Sequence, residues 1–299
     1  MSHRIESDKL ALAAEQREEE KNYWMKRLSG ELVKSTFPAD FRKENLRERR
    51  MESKVFEFPS SLARRLIGMT NDSEIRLDIV LITGVTVLLA RNSGNEDIIV
   101  GMPIYRQEAE VDFINTVLPI RYEIGPGVTF KEMILEMGQV ILAAAKNQNY
   151  PMERLLNHLN ISYTPGDDFP LFDVAVILEN IHDRRYIRHI QTRTVFSFMK
   201  TGGEIKGTLS YDALLYAGTT AGRWVDQFLN LLQEAAFHVD KPISRIEMLT
   251  AREKERLLFD FNDSKAGYPK DKTVVQMFRE QVEKTPDTTA LVFEQTRVT

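Results

Sequence analysis

Between Glu74 and Asn92 the chain carries a nearly unbroken apolar run, and the length of that run decides what it can become. Ile79, Val80, Ile82, Val85 and Val87 are β-branched and favour a strand on propensity alone. The run is nonetheless too long for an ordinary strand, and it closes on Arg91, Asn92, Ser93 and Gly94, a helix-stop composition. It therefore predicts a fully buried helix. Directly after it, Ile98, Ile99 and Val100 form a β-branched run closed by Gly101 and Pro103, the pattern of a buried strand that stops at a turn.

The stretch from Asp97 to Arg121 goes on to set Asn115, Thr116 and Arg121 among residues that would otherwise be core. An unpaired polar group in such company costs roughly 1 to 3 kcal/mol. The stretch is either a pocket wall or an internally paired turn.

Residues 8 to 28 predict a helix ending at Gly30, with Trp24 as a docking anchor, and Pro38 to Arg50 a surface loop. Val55, Phe56 and Phe58 predict a short strand, and Pro59 and Ser60 open a helix through Ile67. Thr129 with Glu132 three residues on is a capping box, and Phe130, Met133, Ile134, Met137, Val140, Ile141 and Ala144 follow as one apolar face. Pro151 suits a first helical position ahead of Leu155, Leu156 and Leu159.

Strands are expected at Leu171 to Leu178, Thr194 to Phe198 and Gly207 to Leu215, with Thr201-Gly202-Gly203 as a hairpin turn. Thr219 or Thr220 would cap a last long helix whose inner face is Trp224, Phe228, Leu231, Leu232 and Ala235. Strands and helices mix without strict alternation, so the expected class is α/β, a mixed sheet covered by helices. After Pro242 the character changes. Glu253 to Phe259 reads as a short charged helix, Asp260 to Pro269 as a linker, Thr273 to Lys284 as a helix and Ala290 to Phe293 as a strand.

What the chain can do is bounded first by exclusion. A net charge of -4 gives no electrostatic reason to expect nucleic acid. The absence of cysteine rules out disulfides, a thiol nucleophile and thiolate metal sites. No uncharged apolar span of membrane length occurs, and the first twenty residues hold no signal-peptide core, so a cytoplasmic protein is expected. His3, His158, His182, His189 and His238 are never adjacent and fall in no metal or triad spacing. Asp167 and Asp168, beside Gly166, read as a solvated loop. The basic cluster Arg184, Arg185, Arg188, His189 and Arg193 reads as an exposed loop and strand edge, or else as a contact for phosphate or an acidic partner.

Several stretches, in order, resemble the condensation domains of nonribosomal peptide synthetases. Tyr23-Trp24 with Leu28 is similar to the start of that family's second lobe, and Asp97 to Pro103 to its strand ending in Val-Gly-x-Pro. Phe113-Ile-Asn-Thr with Arg121 resembles its Phe-Val-Asn-Thr motif, with one extra residue before the arginine. Asn147-Gln-Asn-Tyr-Pro-Met-Glu153 resembles His-Gln-Asp-x-Pro-Phe-Glu, with Asn147 in the histidine's place. Pro170-Leu-Phe-Asp173 matches the end of a further motif, although Thr164, Asp167 and Asp168 stand at the arginine and serine positions before it, and the Lys-Phe-Asp-Leu pattern has no clear counterpart near Val195 to Phe198. Leu257-Leu258, Phe261-Asn262, Tyr268-Pro269, Phe278 and Thr285-Pro286-Asp287 resemble the exit linker and the opening of an adenylation domain.

The resemblance implies one lobe of the chloramphenicol acetyltransferase-like fold over residues 1-249, a linker over 250-272 and an adenylation stub over 273-299. It places Asn115, Thr116, Arg121, Asn147, Tyr150, Pro151 and Glu153 along a substrate channel, with Asn115 and Arg121 expected to hold backbone. It implies adenylation and peptidyl carrier domains as partners, and the phosphopantetheine of the carriers as the cofactor involved, with none bound by this chain. The family's His-His-x-x-x-Asp-Gly motif belongs to its first lobe and is not found here, so the expectation is a truncated, non-catalytic structural or docking module with no catalytic residue of its own. The alternative is half of a peptide-bond-forming acyltransferase completed by a first lobe in trans; a stand-alone acyltransferase using one of the five histidines is a third reading. Exposed apolar faces would favour self-association.

Overall fold

A computed structural model describes residues 17–42, 48–106, 115–263, 269 and 271–299. Two compact units divide the chain, Met1–Thr250 and Ala251–Thr299.

The first unit is built on the predicted buried helix. α3 (Glu74–Ser93) starts where the Ser73 side chain accepts from the Arg76 amide, and it stops where Gly94 turns left-handed at φ 72. Its residues from Leu77 to Ala90 are nearly all buried, except Ile79, which is half-buried. Before it come α1 (Glu18–Arg27), β1 (Met51–Glu57) and α2 (Ser60–Met69); after it come β2 (Asp97–Pro103), β3 (Val117–Glu123), α4 (Phe130–Lys146) and α5 (Met152–His158). β4 (Val174–Leu178), β5 (Thr194–Thr201), β6 (Glu204–Asp212) and α6 (Gly218–Phe237) complete it. The expected helix over residues 8 to 16 lies outside the described residues.

Six strands form one sheet in the order β1-β6-β5-β4-β2-β3. β1, β6 and β5 pair antiparallel, as do β2 and β3, whereas β5, β4 and β2 run parallel. The sheet is thus mixed, as expected. α3 packs on β2 and β4, α4 on β3 and α3, and α6 on α2, α3 and β6. Phe56, Phe58, Phe196, Phe198 and Phe228 meet ring to ring between sheet and helices, with centroids 5.5 to 6.5 Å apart. Gly101 is required on β2, because any Cβ there would enter the buried Phe172 ring.

Several local expectations are corrected. The stretch after Thr116 is a strand, β3, and its Pro119 is tolerated because β3 is an edge that needs no outward N–H donor. Thr219 and Thr220 lie inside α6, whose cap is Ala217; Thr220 donates instead to the Asp40 carboxylate at 3.0 Å. Pro151 is the cap of α5 rather than its first residue. Asp168 is not simply solvated: it pairs with Arg49 and Arg193. Arg193 likewise leaves the basic cluster, since it is 2% exposed and also reaches Asp212 at 2.7 Å.

The second unit has α7 (Ala251–Leu258), α8 (Val274–Lys284) and a hairpin of β7 (Leu291–Phe293) with β8 (Thr296–Val298). α8 opens with a full capping box between Thr273 and Gln276. Its apolar residues Val274, Val275, Phe278 and Val282 are all exposed, as are Leu291, Val292 and Phe293 on the hairpin. Of the expected linker, residues 264–268 lie outside the described residues.

Candidate functional site

Asn115, two residues before β3, is 8% exposed, and its side chain carries one donor pair and one carbonyl. Both of its N–H groups are spent locally, and its carbonyl accepts one bond. Its Nδ2 donates to the backbone oxygens of Gln148 and Tyr150, both at 2.6 Å, and its Oδ1 accepts the Met152 amide at 3.0 Å. Asn115 therefore ties the Asn147-to-Pro151 loop and the first turn of α5 to the sheet.

Thr116 makes the next tie. Its backbone oxygen accepts from Ile104, while its hydroxyl donates to the Tyr186 oxygen at 2.7 Å and lies 3.2 Å from His189 Nε2. Together these contacts draw the β4–β5 connection against α5. A cavity of about 220 Å³ opens between them, lined by Asn115, Thr116, Pro151, Glu153, Tyr163 and His189 among apolar neighbours such as Leu156 and Phe169. Glu153 is exposed at this cavity. Desolvation holds the His189 imidazole below its ordinary pKa, so the ring is neutral at neutral pH.

The remaining candidates lie apart from that cavity. Arg121 grips the Asp97 carboxylate through Nε at 2.9 Å and Nη2 at 2.6 Å, and donates to the backbone oxygens of Arg27, Ser29 and Glu31 at 2.6 to 3.3 Å. It lines a separate depression with Tyr23 and Lys26. Asn147 ends α4, its side chain donating to Ala143 at 2.8 Å and its oxygen accepting the Trp24 indole N–H at 2.7 Å. Tyr150 is 1% exposed. The structure thus brings Asn115, Thr116, Pro151 and Glu153 together around one cavity, leaves Asn147 and Tyr150 out of its lining, and sets Arg121 in a separate depression.

His189 is exposed, as the reading of an exposed loop expects, and it also lines the cavity. Nothing in the spacing pairs it with Thr116, 73 residues away.

A second polar cluster lies in the core. Asp78 on α3 and His182 after β4 are both wholly buried, with Nε2 to Oδ2 at 3.7 Å. Neither Asp78 oxygen nor His182 Nε2 has a hydrogen-bond partner. His182 Nδ1 accepts the Leu178 amide at 3.1 Å, which fixes the neutral ring with its proton on Nε2, and the Tyr105 ring stacks on it at 5.4 Å. Burial raises the Asp78 carboxyl well above its ordinary range and lowers His182 to about 3. Among the described residues no group of three His, Asp or Glu could hold a metal, and no helix is long and apolar enough to cross a membrane.

Comparison with known proteins places this architecture. Residues 4–258 match the family described as Condensation domain. Bacitracin synthase 2 of Bacillus licheniformis is 30% identical over 296 residues, and tyrocidine synthase 2 of Brevibacillus parabrevis 31% over 303. These alignments cover 93% and 94% of this chain but only 11% and 8% of the relatives, so the chain spans about a tenth of their length.

Among solved structures, a four-domain nonribosomal peptide synthetase bound to AMP and glycine aligns with a TM-score of 0.73 at 18% identity, over 94% of this chain and 24% of that one. The X-domain in complex with OxyB from teicoplanin biosynthesis aligns with a TM-score of 0.69 at 17% identity, over 82% of this chain and 59% of the other. The fold is accordingly the chloramphenicol acetyltransferase-like one, and the chain belongs to the condensation-domain family of nonribosomal peptide synthetases.

Proposed function

We propose that residues 1-249 serve as the C-terminal lobe of a condensation domain, that 250-272 leads out of it, and that 273-299 opens an adenylation domain. On its own the chain is a structural or docking module beside that adenylation domain and forms no peptide bond. One observation carries this reading: the 299 residues contain no adjacent histidine pair. A positioned general base contributes about 10² to 10⁴ in rate, and the lobe lacks the family's residue for it. The unpartnered apolar faces of α8 and β7 support an adenylation neighbour, and they favour self-association in its absence.

In such a cytoplasmic assembly, carrier domains would present thioesters on phosphopantetheine arms. Asn115, Thr116, Pro151 and Glu153 flank the channel in this reading, while Arg121, Asn147 and Tyr150 brace its walls. Purified chain incubated with an aminoacyl carrier and a peptidyl carrier is expected to give no amide product. Product formation overturns the reading.

The intact cavity favours a second reading, half of an acyltransferase completed by a first lobe in trans. Mixing with a first-lobe polypeptide would then restore turnover, and Arg121→Ala would reduce it by loosening β3. No gain on mixing counts against this alternative.

A further inference from the structure

β1 is one edge of the six-stranded sheet, and among the described residues no strand covers its outer side. The other edge, β3, is interrupted by Pro119. β1 has neither a proline nor a bulge, since its register against β6 runs unbroken from Met51 opposite Asp212 to Glu57 opposite Lys206. Just past the ends of that ladder the Ala213 amide donates to the Arg50 oxygen and the Phe58 amide to the Ile205 oxygen, so the even-numbered residues bond inward to β6. Antiparallel pairing alternates, and Met51, Ser53, Val55 and Glu57 therefore turn N–H and C=O to the free side.

Side chains alternate as well. Phe56 packs on Phe228 of α6, which puts Glu52 and Lys54 on the helix-covered face and Met51, Ser53 and Val55 on the other. Met51 and Val55 are 46% and 70% exposed. Glu52 is held by the Tyr211 hydroxyl at 3.2 Å and by Arg50 at 3.5 Å, and both it and Lys54 remain exposed.

This edge is complementary to itself. With a two-fold axis at Ser53, Met51 of one copy lies opposite Val55 of the other and Ser53 opposite Ser53, so outward residues meet outward residues and can exchange both N–H···O bonds. Between them Glu52 lies opposite Lys54, at the closer, non-hydrogen-bonded spacing that suits an ion pair. Moving the axis to Glu52 or to Lys54 sets like charges opposite each other, so charge selects the register. We propose that β1 is the contact through which two copies of this chain associate, edge to edge about Ser53, joining their sheets into one. The contact is separate from the exposed faces of α8 and β7, which belong to the other unit. It spans one short strand, so the association is weak and concentration-dependent.

Sedimentation velocity of the full chain should show a monomer–dimer equilibrium by about 1 mM. Lys54→Glu makes both ion pairs repulsive and should weaken the dimer about tenfold; Glu52→Lys combined with Lys54→Glu exchanges the charges and should restore it. The same series in a Phe278→Ser background, which removes an exposed ring of α8, should give the same pattern. The chain has no cysteine, so an introduced thiol is unique. Ser53→Cys sets two thiols on residues with Cα atoms about 5.5 Å apart and should oxidise to a covalent dimer, whereas Val55→Cys, opposite Met51, should not.

A monomer throughout, association that Phe278→Ser abolishes and Lys54→Glu leaves unchanged, or equal cross-linking at positions 53 and 55 overturns the inference. Should a charge variant fail to fold, the two cysteine variants decide.

Discussion

Asn115→Ala tests whether the cavity wall depends on one side chain. The substitution removes three hydrogen bonds at once and strands the Gln148 and Tyr150 oxygens and the Met152 amide, the Tyr150 contact being fully buried. A net loss of about 1 kcal/mol per bond, with an added penalty for the buried carbonyl, gives roughly 2 to 4 kcal/mol. The chain has two tryptophans, Trp24 and Trp224, and both lie in Met1–Thr250, so tryptophan fluorescence in urea reports that unit alone. With a slope near ~3 kcal/mol/M, the midpoint should fall by about 1 M. Exchange of the Met152 amide should accelerate in step. Asn115→Asp keeps the acceptor for Met152 but turns an oxygen toward two carbonyls, and should cost at least as much. A midpoint shift worth under about 0.5 kcal/mol, with Met152 still protected, would show that the loop is held by something else.

Other perturbations follow from the core and the second unit. Asp78 is protonated in the folded state and ionised in the unfolded chain above the ordinary aspartate value of 3.8, so its stabilisation is full below that pH and is lost as pH rises toward the raised folded value. His182 has the opposite sign: its contribution is full above 6.5 and lost as pH falls toward about 3. Urea titrations across pH should show Asp78→Asn abolishing the decline on the alkaline side while leaving the acid limb; an unchanged profile would contradict the buried neutral carboxyl. Gly101→Ala should destabilise by about 1 to 3 kcal/mol through overpacking against Phe172, and Phe172→Leu in the same chain should recover part of it by thermal denaturation. α8 should exchange its amides quickly in dilute monomer and slow as concentration rises, because its apolar face is exposed; strong protection in dilute monomer would refute the need for a neighbour.

Much of the scaffold is readable where local chemistry and burial agree. Length and end signals are enough for α3 despite its β-branched residues, and the Thr129 capping box forms with both reciprocal bonds. β3 is hidden because Pro119 and Arg121 each argue against a strand, and only its place at the sheet edge and the distant Asp97 carboxylate make them acceptable. The Thr219–Thr220 start signal is misleading because Asp40, far away in sequence, takes the hydroxyl that would have capped α6. Arg193 looks like surface charge until Asp168 and Asp212 converge on it. The same limit applies to the cavity. Asn115 and Thr116 draw attention as polar residues in apolar company, whereas His189 acquires its meaning only from a hydroxyl brought to it by the fold.

The sheet is not equally fastened along its width. β5 and β4 register over five residue pairs and β2 and β3 over seven, but β2 meets β4 at a single registered pair, Gly101 opposite Ala175. That line is a seam with a hairpin on one side and four strands on the other. Asn115 and Thr116 ride with the hairpin, while His189 rides with the four strands. The Thr116–Tyr186 bond and the bonds from Arg106 to the Ile181, Glu179 and His182 oxygens are stitches across it. The two walls of the cavity therefore belong to opposite sides of the seam, and what holds its width is these stitches and the α3 helix that packs on β2 and β4 alike, more than the strand ladder itself.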